Sequence, residues 1–124
     1  MRQKSDTLST QQLEIMTVVW ERGEATVRDV YEALRHRRSL AYTTVMTMMK
    51  MMEARGQLKK RTEGRAFVYR AAEPKARALR RIVGDFLDRV FNGSAEPLLA
   101  HLVAERRISQ KDLDKISRLI RSKK

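Results

Sequence analysis

No cysteine occurs in the 124 residues. That removes a disulfide framework and thiolate metal sites, and it suits a reducing compartment. Aromatic residues are scarce at 6%, and apolar residues, at 42%, are slightly few for a self-contained core. A chain so composed often completes its core by pairing with a second copy, so a dimer is expected. No apolar run approaches the roughly 18 residues of a membrane span. Met1-Arg2-Gln3-Lys4-Ser5-Asp6 leads into an amphipathic pattern rather than an apolar stretch. Neither membrane insertion nor a secretory signal is therefore expected, and the expected location is the cytoplasm. The two histidines, His36 and His101, have no Ser, Asp or Glu neighbour at a suggestive spacing. With no phosphate-cradling glycine loop, metal-ligand cluster or nucleophile motif either, the reading is of a non-enzyme without cofactor or metal.

What the chain does have is positive charge. Twenty-seven Lys and Arg against fifteen Asp and Glu make a formal +12, and the natural partner of such a chain is a polyanion, nucleic acid ahead of a membrane surface. The distribution says more than the total. Residues 1–34 carry four cations and six acids, a net of −2. Residues 35–70 carry ten cations against Glu53 and Glu63, a net of +8. Residues 71–124 carry thirteen against seven, a net of +6 spread along helical patterns that a merely solvated surface would explain. The middle block is not explained that way.

Length allows one domain with a real core, or a small domain with an appendage. Ser9-Thr10-Gln11-Gln12 fits a capping box, with Leu13, Met16, Val19 and Trp20 at helical spacing behind it and Gly23 as a stop. A helix over about 10–22 is predicted. Thr26-Val27-Arg28-Asp29 is a second capping box, opening a helix over about 27–36 with Val27, Val30, Tyr31 and Leu34 inward; Glu24–Thr26 before it reads as a very short strand. After the polar break His36–Leu40, the pattern resumes over Ala41–Arg55 with Val45, Met48, Met49 and Met52 on one face. Gly56 ends it. Leu58–Thr62 and Ala66–Arg70, joined through Glu63-Gly64-Arg65, read as a β-hairpin. Three helices and a basic hairpin are the order of a winged helix-turn-helix, so the fold expected is mainly α with a β-hairpin wing.

Glu73-Pro74 marks a boundary, giving an expected winged-helix domain over 1–71 and a helical dimerisation domain over 72–124. Leu79, Val83, Phe86 and Val90 form a coiled-coil-like seam flanked by Ile82 and Leu87, and Asn92-Gly93 stops that helix. Leu98, Leu99, Leu102 and Val103 lie on a short helix over Ala95–Glu105. Ser109-Gln110-Lys111-Asp112 is a third capping box, before Leu113, Ile116, Leu119 and Ile120. These stripes need another surface, and a second subunit supplies one.

On the third helix, about 100° per residue sets Thr43, Thr47, Lys50 and Ala54 opposite Val45, with Thr44 and Met51 flanking them. Threonine hydroxyls reach phosphates or base edges, their methyls pack on thymine, and Lys50 reaches guanine or phosphate. Met46 and Met51 lie nearer the exposed side, within reach of apolar DNA contacts. Met48, Met49 and Met52 read as core fillers rather than metal ligands. On the hairpin, Lys59, Lys60, Arg61 and Arg65 are candidate phosphate ligands, as is Arg28 at the start of the second helix. Phe67 and Tyr69 share a strand face and are expected to pack beneath the wing.

Leu13-Glu14-Ile15-Met16 through Trp20, Thr26-Val27-Arg28-Asp29-Val30, Ala41-Tyr42-Thr43-Thr44-Val45 and Gly64-Arg65-Ala66-Phe67-Val68-Tyr69 together resemble the BlaI/MecI/CopY family of bacterial repressors, in order from about Leu8 to Leu119. The resemblance implies a homodimer joined by its C-terminal helices and binding a dyad operator through two winged helices. It places Thr43, Thr44 and Thr47, preceded by Tyr42, on the DNA-reading helix, and Met46 and Met51 where some members carry arginine. Copper-responsive members have a C-terminal cysteine motif that this sequence lacks. The β-lactam branch is released by cleavage at an Asn-Phe pair, and His101-Leu102 stands at the matching position here. An adjacent membrane sensor protease would imply release by proteolysis. Two other readings stay open: a winged helix that binds a protein partner, against which the +8 block argues, and a ribonucleoprotein component, which would not need the tail.

Overall fold

A computed structural model of the chain describes residues 8–123; residues 1–7 of the expected first domain, and Lys124, lie outside them. Hydroxyl side chains cap three of the described helices. Ser9 Oγ accepts the Gln12 N–H at 3.1 Å, while Gln12 Oε1 accepts the Ser9 N–H at 3.0 Å. These reciprocal bonds satisfy donors that the first helical turn would otherwise leave open, and they open α1, Thr10–Arg22. Gly23, at φ +82°, ends it with an N–H donated to the Val19 carbonyl, a conformation that L side chains rarely adopt. Thr26 and Asp29 repeat the device at the head of α2, Val27–Leu34. The helix α3, Tyr42–Ala54, starts at Ala41 without a side-chain cap, so packing rather than capping holds its first turn.

A two-stranded antiparallel hairpin follows, β1 (Leu58–Glu63) and β2 (Ala66–Ala71), paired from Leu58↔Ala71 to Glu63↔Ala66. Gly64, at φ +62°, takes the first central position of the two-residue turn, where a II′ geometry calls for glycine. The expected strand over Glu24–Thr26 is reduced to a single bridge. The Ala25 N–H donates to the Tyr69 carbonyl at 2.9 Å and the Tyr69 N–H to the Ala25 carbonyl at 2.8 Å.

The core of this first unit joins Ile15, Met16 and Val19 of α1, Val30 and Leu34 of α2, Val45, Met49 and Met52 of α3, and Leu58 and Tyr69 of the hairpin. Each buried Met or Leu removes enough apolar surface to contribute about 1.5–3 kcal/mol. Met48 is half-buried at the edge of the same cluster, as the helical phase of α3 required. Tyr69 is 1% exposed but Phe67 is 43% exposed, which corrects the expectation that both pack beneath the wing. The two share a face, yet Phe67 is one residue from the turn end of β2, beyond the reach of the body.

The contact division falls after Ala78, where the sequence led to a boundary after residue 71. Ala78 is buried, and the Trp20 indole N–H donates to the Glu73 carbonyl at 3.1 Å, so the segment after the wing is tied to α1. The helix α4, Lys75–Val90, therefore starts in the first unit and continues as the second. It stops at Asn92 and Gly93, both at positive φ, with the Gly93 N–H bonded to the Leu87 carbonyl in a Schellman-type closure. Next come α5, Glu96–Ala104, and α6, Gln110–Ser122, the latter opened by the Ser109–Asp112 capping box. Among the described residues from Leu79 onward, none is buried. Leu79, Val83, Phe86, Val90, Leu99, Val103, Leu119 and Ile120 are exposed, and Ile82, Leu87, Leu98, Leu102, Leu113 and Ile116 are half-buried. Among the described residues no helix is long and apolar enough to cross a membrane.

Candidate nucleic-acid interface

Helical phase decides what α3 shows to solvent. With Val45, Met49 and Met52 in the core, Thr43, Thr44, Thr47 and Lys50 are all exposed, as is Met51. Thr43, Thr47 and Lys50 fall at i, i+4 and i+7, one stripe along the helix. A helix of this width fits a DNA major groove, and hydroxyls, methyls and one ammonium are groups that read or grip it.

Beside this stripe runs a groove of about 370 Å³, lined among others by Arg28, Tyr42, Met46, Lys50, Arg65 and Phe67. The half-buried Met46 and the two aromatic rings make an apolar wall, and the three cations give it charge. A sugar–phosphate strand alternates weakly polar sugar with anionic phosphate, and such a wall suits both parts.

Each predicted residue has a definite environment. Tyr42, at the start of α3, meets the Tyr31 ring edge-on at 5.6 Å between centroids. The Arg28 guanidinium lies 5.2 Å from the centre of the Tyr42 ring and pairs with Glu32 at 3.4 Å. Glu32 also accepts from Arg35 at 3.1 Å. Lys60 stands opposite Tyr69, with its ammonium 4.3 Å from the centre of the Phe67 ring and 4.0 Å from Glu53. Lys50, Lys59 and Arg65 have no carboxylate partner among the described residues. They are the cations readiest to meet a polyanion.

Arg61, expected to be a phosphate ligand, is brought instead to two carboxylates, Glu24 at 2.9 Å and Glu63 at 2.9 Å. The Arg61 hydrogen bond holds the Glu24 carboxyl below its ordinary range, and the guanidinium is in turn more basic than usual, Glu24 first and Glu63 second. Within the block of cations but away from the wing, Arg38 of the loop after α2 is paired with Glu14 of α1 at 2.6 Å.

Sequence reasoning missed Phe67 as a groove residue. The available signal was its place one residue from the turn end of its strand. It also missed that Glu24, Glu32 and Glu53 pre-pair basic groups of this surface. The Glu32 pairings had a signal, since Arg28 and Arg35 stand four and three residues away along one helix; those of Glu24 and Glu53 had none, since they depend on how elements come together.

The family model described as penicillinase repressor matches residues 8–122. The transcriptional regulator BlaI of Mycobacterium tuberculosis (strain ATCC 25618 / H37Rv) is 32% identical over 108 residues, covering 86% of this chain and 77% of its own. The penicillinase repressor of Bacillus licheniformis is 22% identical over 117 residues, 94% of this chain and 91% of its own. Among solved structures, the DNA-binding domain of the repressor BlaI is similar at a TM-score of 0.53 and 27% identity, over 60% of this chain and 92% of that one. The Bacillus licheniformis BlaI monomeric form in complex with the blaP half-operator is similar at a TM-score of 0.50 and 27% identity, over 56% and 85%.

Proposed function

The chain belongs to the penicillinase repressor family and is a DNA-binding transcriptional repressor; on that premise, we propose that it works as a homodimer on a dyad operator. The observation that carries the site assignment is the exposed stripe of α3 beside a cationic groove closed by the wing. Thr43, Thr44, Thr47 and Lys50 read the major groove, with Tyr42 and Met46 at its edge. Arg28, Lys59, Lys60 and Arg65 hold phosphate. The wing supplies affinity and salt dependence, and α3 supplies sequence preference.

The dimer is proposed from the second unit. Leu79, Val83, Phe86, Leu87 and Val90 on α4, Leu98, Leu99 and Leu102 on α5, and Leu113, Ile116 and Ile120 on α6 are half-buried or exposed. So much uncovered apolar surface marks an interaction site, and a second copy offers the same surface in return. The proposed partners are thus operator DNA and a second copy. Where a sensor protease is encoded beside the gene, that protease is a third, although His101-Leu102 departs from the Asn-Phe pair at the matching position. Function in the cytoplasm accords with repression.

Selection of binding sequences from a random duplex pool tests this reading. An enriched palindrome is expected. A pool that stays unenriched while the protein binds every duplex alike would sink the sequence-specific part.

A further inference from the structure

Arg61 is the wing cation whose charge is most fully met by carboxylates. Side chains alternate across the faces of a hairpin, so Arg61 shares one face with Lys59, Glu63 and Arg70, while Lys60, Thr62 and Phe67 share the other with Tyr69. From that face its guanidinium reaches beyond the hairpin. Nε donates to Glu24 Oε2 at 3.1 Å and Nη2 to Glu24 Oε1 at 2.9 Å, and Nη1 lies 2.9 Å from Glu63 Oε1. Glu24 belongs to the α1–α2 connection and immediately precedes Ala25, which is bridged to Tyr69 of β2. One planar fork thus joins the middle of β1, the wing end and the body of the domain. Two carboxylates already offset one guanidinium, and its Nε, Nη1 and Nη2 are all engaged before a phosphate arrives.

We propose that Arg61 is a positioning residue: the Glu24–Arg61–Glu63 tie sets the wing's angle to the body, and Arg61 itself makes no phosphate contact. Its effect on DNA rests on the DNA-binding reading above, whereas the tie is a property of the free protein. A lone exposed ion pair contributes little, but a bidentate arginine–carboxylate pair within a three-group network fixes orientation. What it orients is the opposite face of the wing, where Lys60 and Phe67 stand by the groove. The mutual displacement of the Glu24 and Arg61 proton affinities accords with the same contact.

The test uses the full chain, a 30-base-pair duplex of mixed sequence (a length of roughly three helical turns), and four proteins: wild type, Glu24→Asp, Arg61→Gln and Arg65→Gln. Affinity is measured by fluorescence anisotropy across a salt series, and amide hydrogen exchange of residues 59–70 is followed without DNA. Glu24→Asp keeps the charge but shortens the arm by one methylene. It should weaken DNA binding about two- to fivefold, leave the log–log salt slope unchanged and speed exchange in the wing. Arg61→Gln should do the same. Arg65→Gln should lower the slope by about one, as loss of a phosphate contact does, with wing exchange unaltered. Tighter binding by Glu24→Asp, or a slope reduced by about one in Arg61→Gln, would identify Arg61 as a phosphate ligand and overturn the proposal. Equal exchange in all four proteins would overturn it too. A wild-type chain without salt-dependent affinity for DNA would sink the DNA-binding reading instead, and the exchange data would still decide the tie.

Discussion

Replacing Ile120 with alanine should weaken self-association about a hundredfold without touching the first unit's stability. Ile120 is 64% exposed near the end of α6, so a single chain makes little use of it. The change removes three carbons, worth about 2.4 kcal/mol if fully transferred from water. About two thirds of that side chain is still free to be covered, which leaves about 1.5 kcal/mol per copy. A two-fold dimer contains the position twice, for a total of about 3 kcal/mol, and each 1.4 kcal/mol is tenfold in the dissociation constant. Sedimentation equilibrium measures the constant. Fluorescence of Trp20, the chain's one tryptophan, follows thermal unfolding of the first unit and should report the same midpoint for both proteins. Because burial of apolar surface drives the step, salt should not weaken it, in contrast to DNA binding. A dimer constant unchanged by the substitution, or a wild-type chain that sediments as a monomer at tens of micromolar, would refute the reasoning.

Further outcomes follow from the winged unit. Thr44→Ala and Thr47→Ala should flatten sequence preference by about 1–3 kcal/mol at the bases they face, seen as lost enrichment in binding-site selection, with overall retention on DNA kept. Met49, fully buried beside Val45 and Met52, should cost about 2–5 kcal/mol when cut to alanine, read as a lower midpoint in urea unfolding followed by Trp20. The Glu24 carboxyl is depressed by its hydrogen bond to Arg61, so the stabilisation it lends is present above the ordinary carboxylate range and is lost as pH falls through its lowered value. Amide exchange in the wing, corrected for the intrinsic pH dependence, should therefore quicken on the acid side of that range. The acceleration should be missing in Glu24→Gln.

The division of work between the two ends of the chain has a physical basis. The first unit closes a core around Tyr69, Ile15 and the α3 methionines and leaves its charges outward, ready for a polyanion. The second leaves its apolar residues uncovered. In the proposed dimer on DNA, counterion release would answer one surface and removal of apolar area from water the other, so salt should separate them experimentally.

The sequence by itself determined the starts of α1, α2 and α6, the phase of α3 and the hairpin turn. Ser9, Thr26 and Ser109 each bond a residue three positions on, Val45 and Met49 are one turn apart, and Gly64 acts within its own turn. All of these are local geometries, complete within a few residues. Only the tertiary structure decided that Phe67 stays in the groove while Tyr69 is buried, that Trp20 bonds Glu73 across 53 residues, and that Arg61 is claimed by Glu24 across 37. Alternation along a strand says which face a side chain takes but not how far the body extends beneath it. A basic side chain in a sequence likewise carries its charge but not its partner. The carboxylate that reaches Arg61 is chosen by the chain path that brings Ala25 to β2, and so one of the four wing cations read as phosphate ligands meets Glu24 and Glu63 in the free protein.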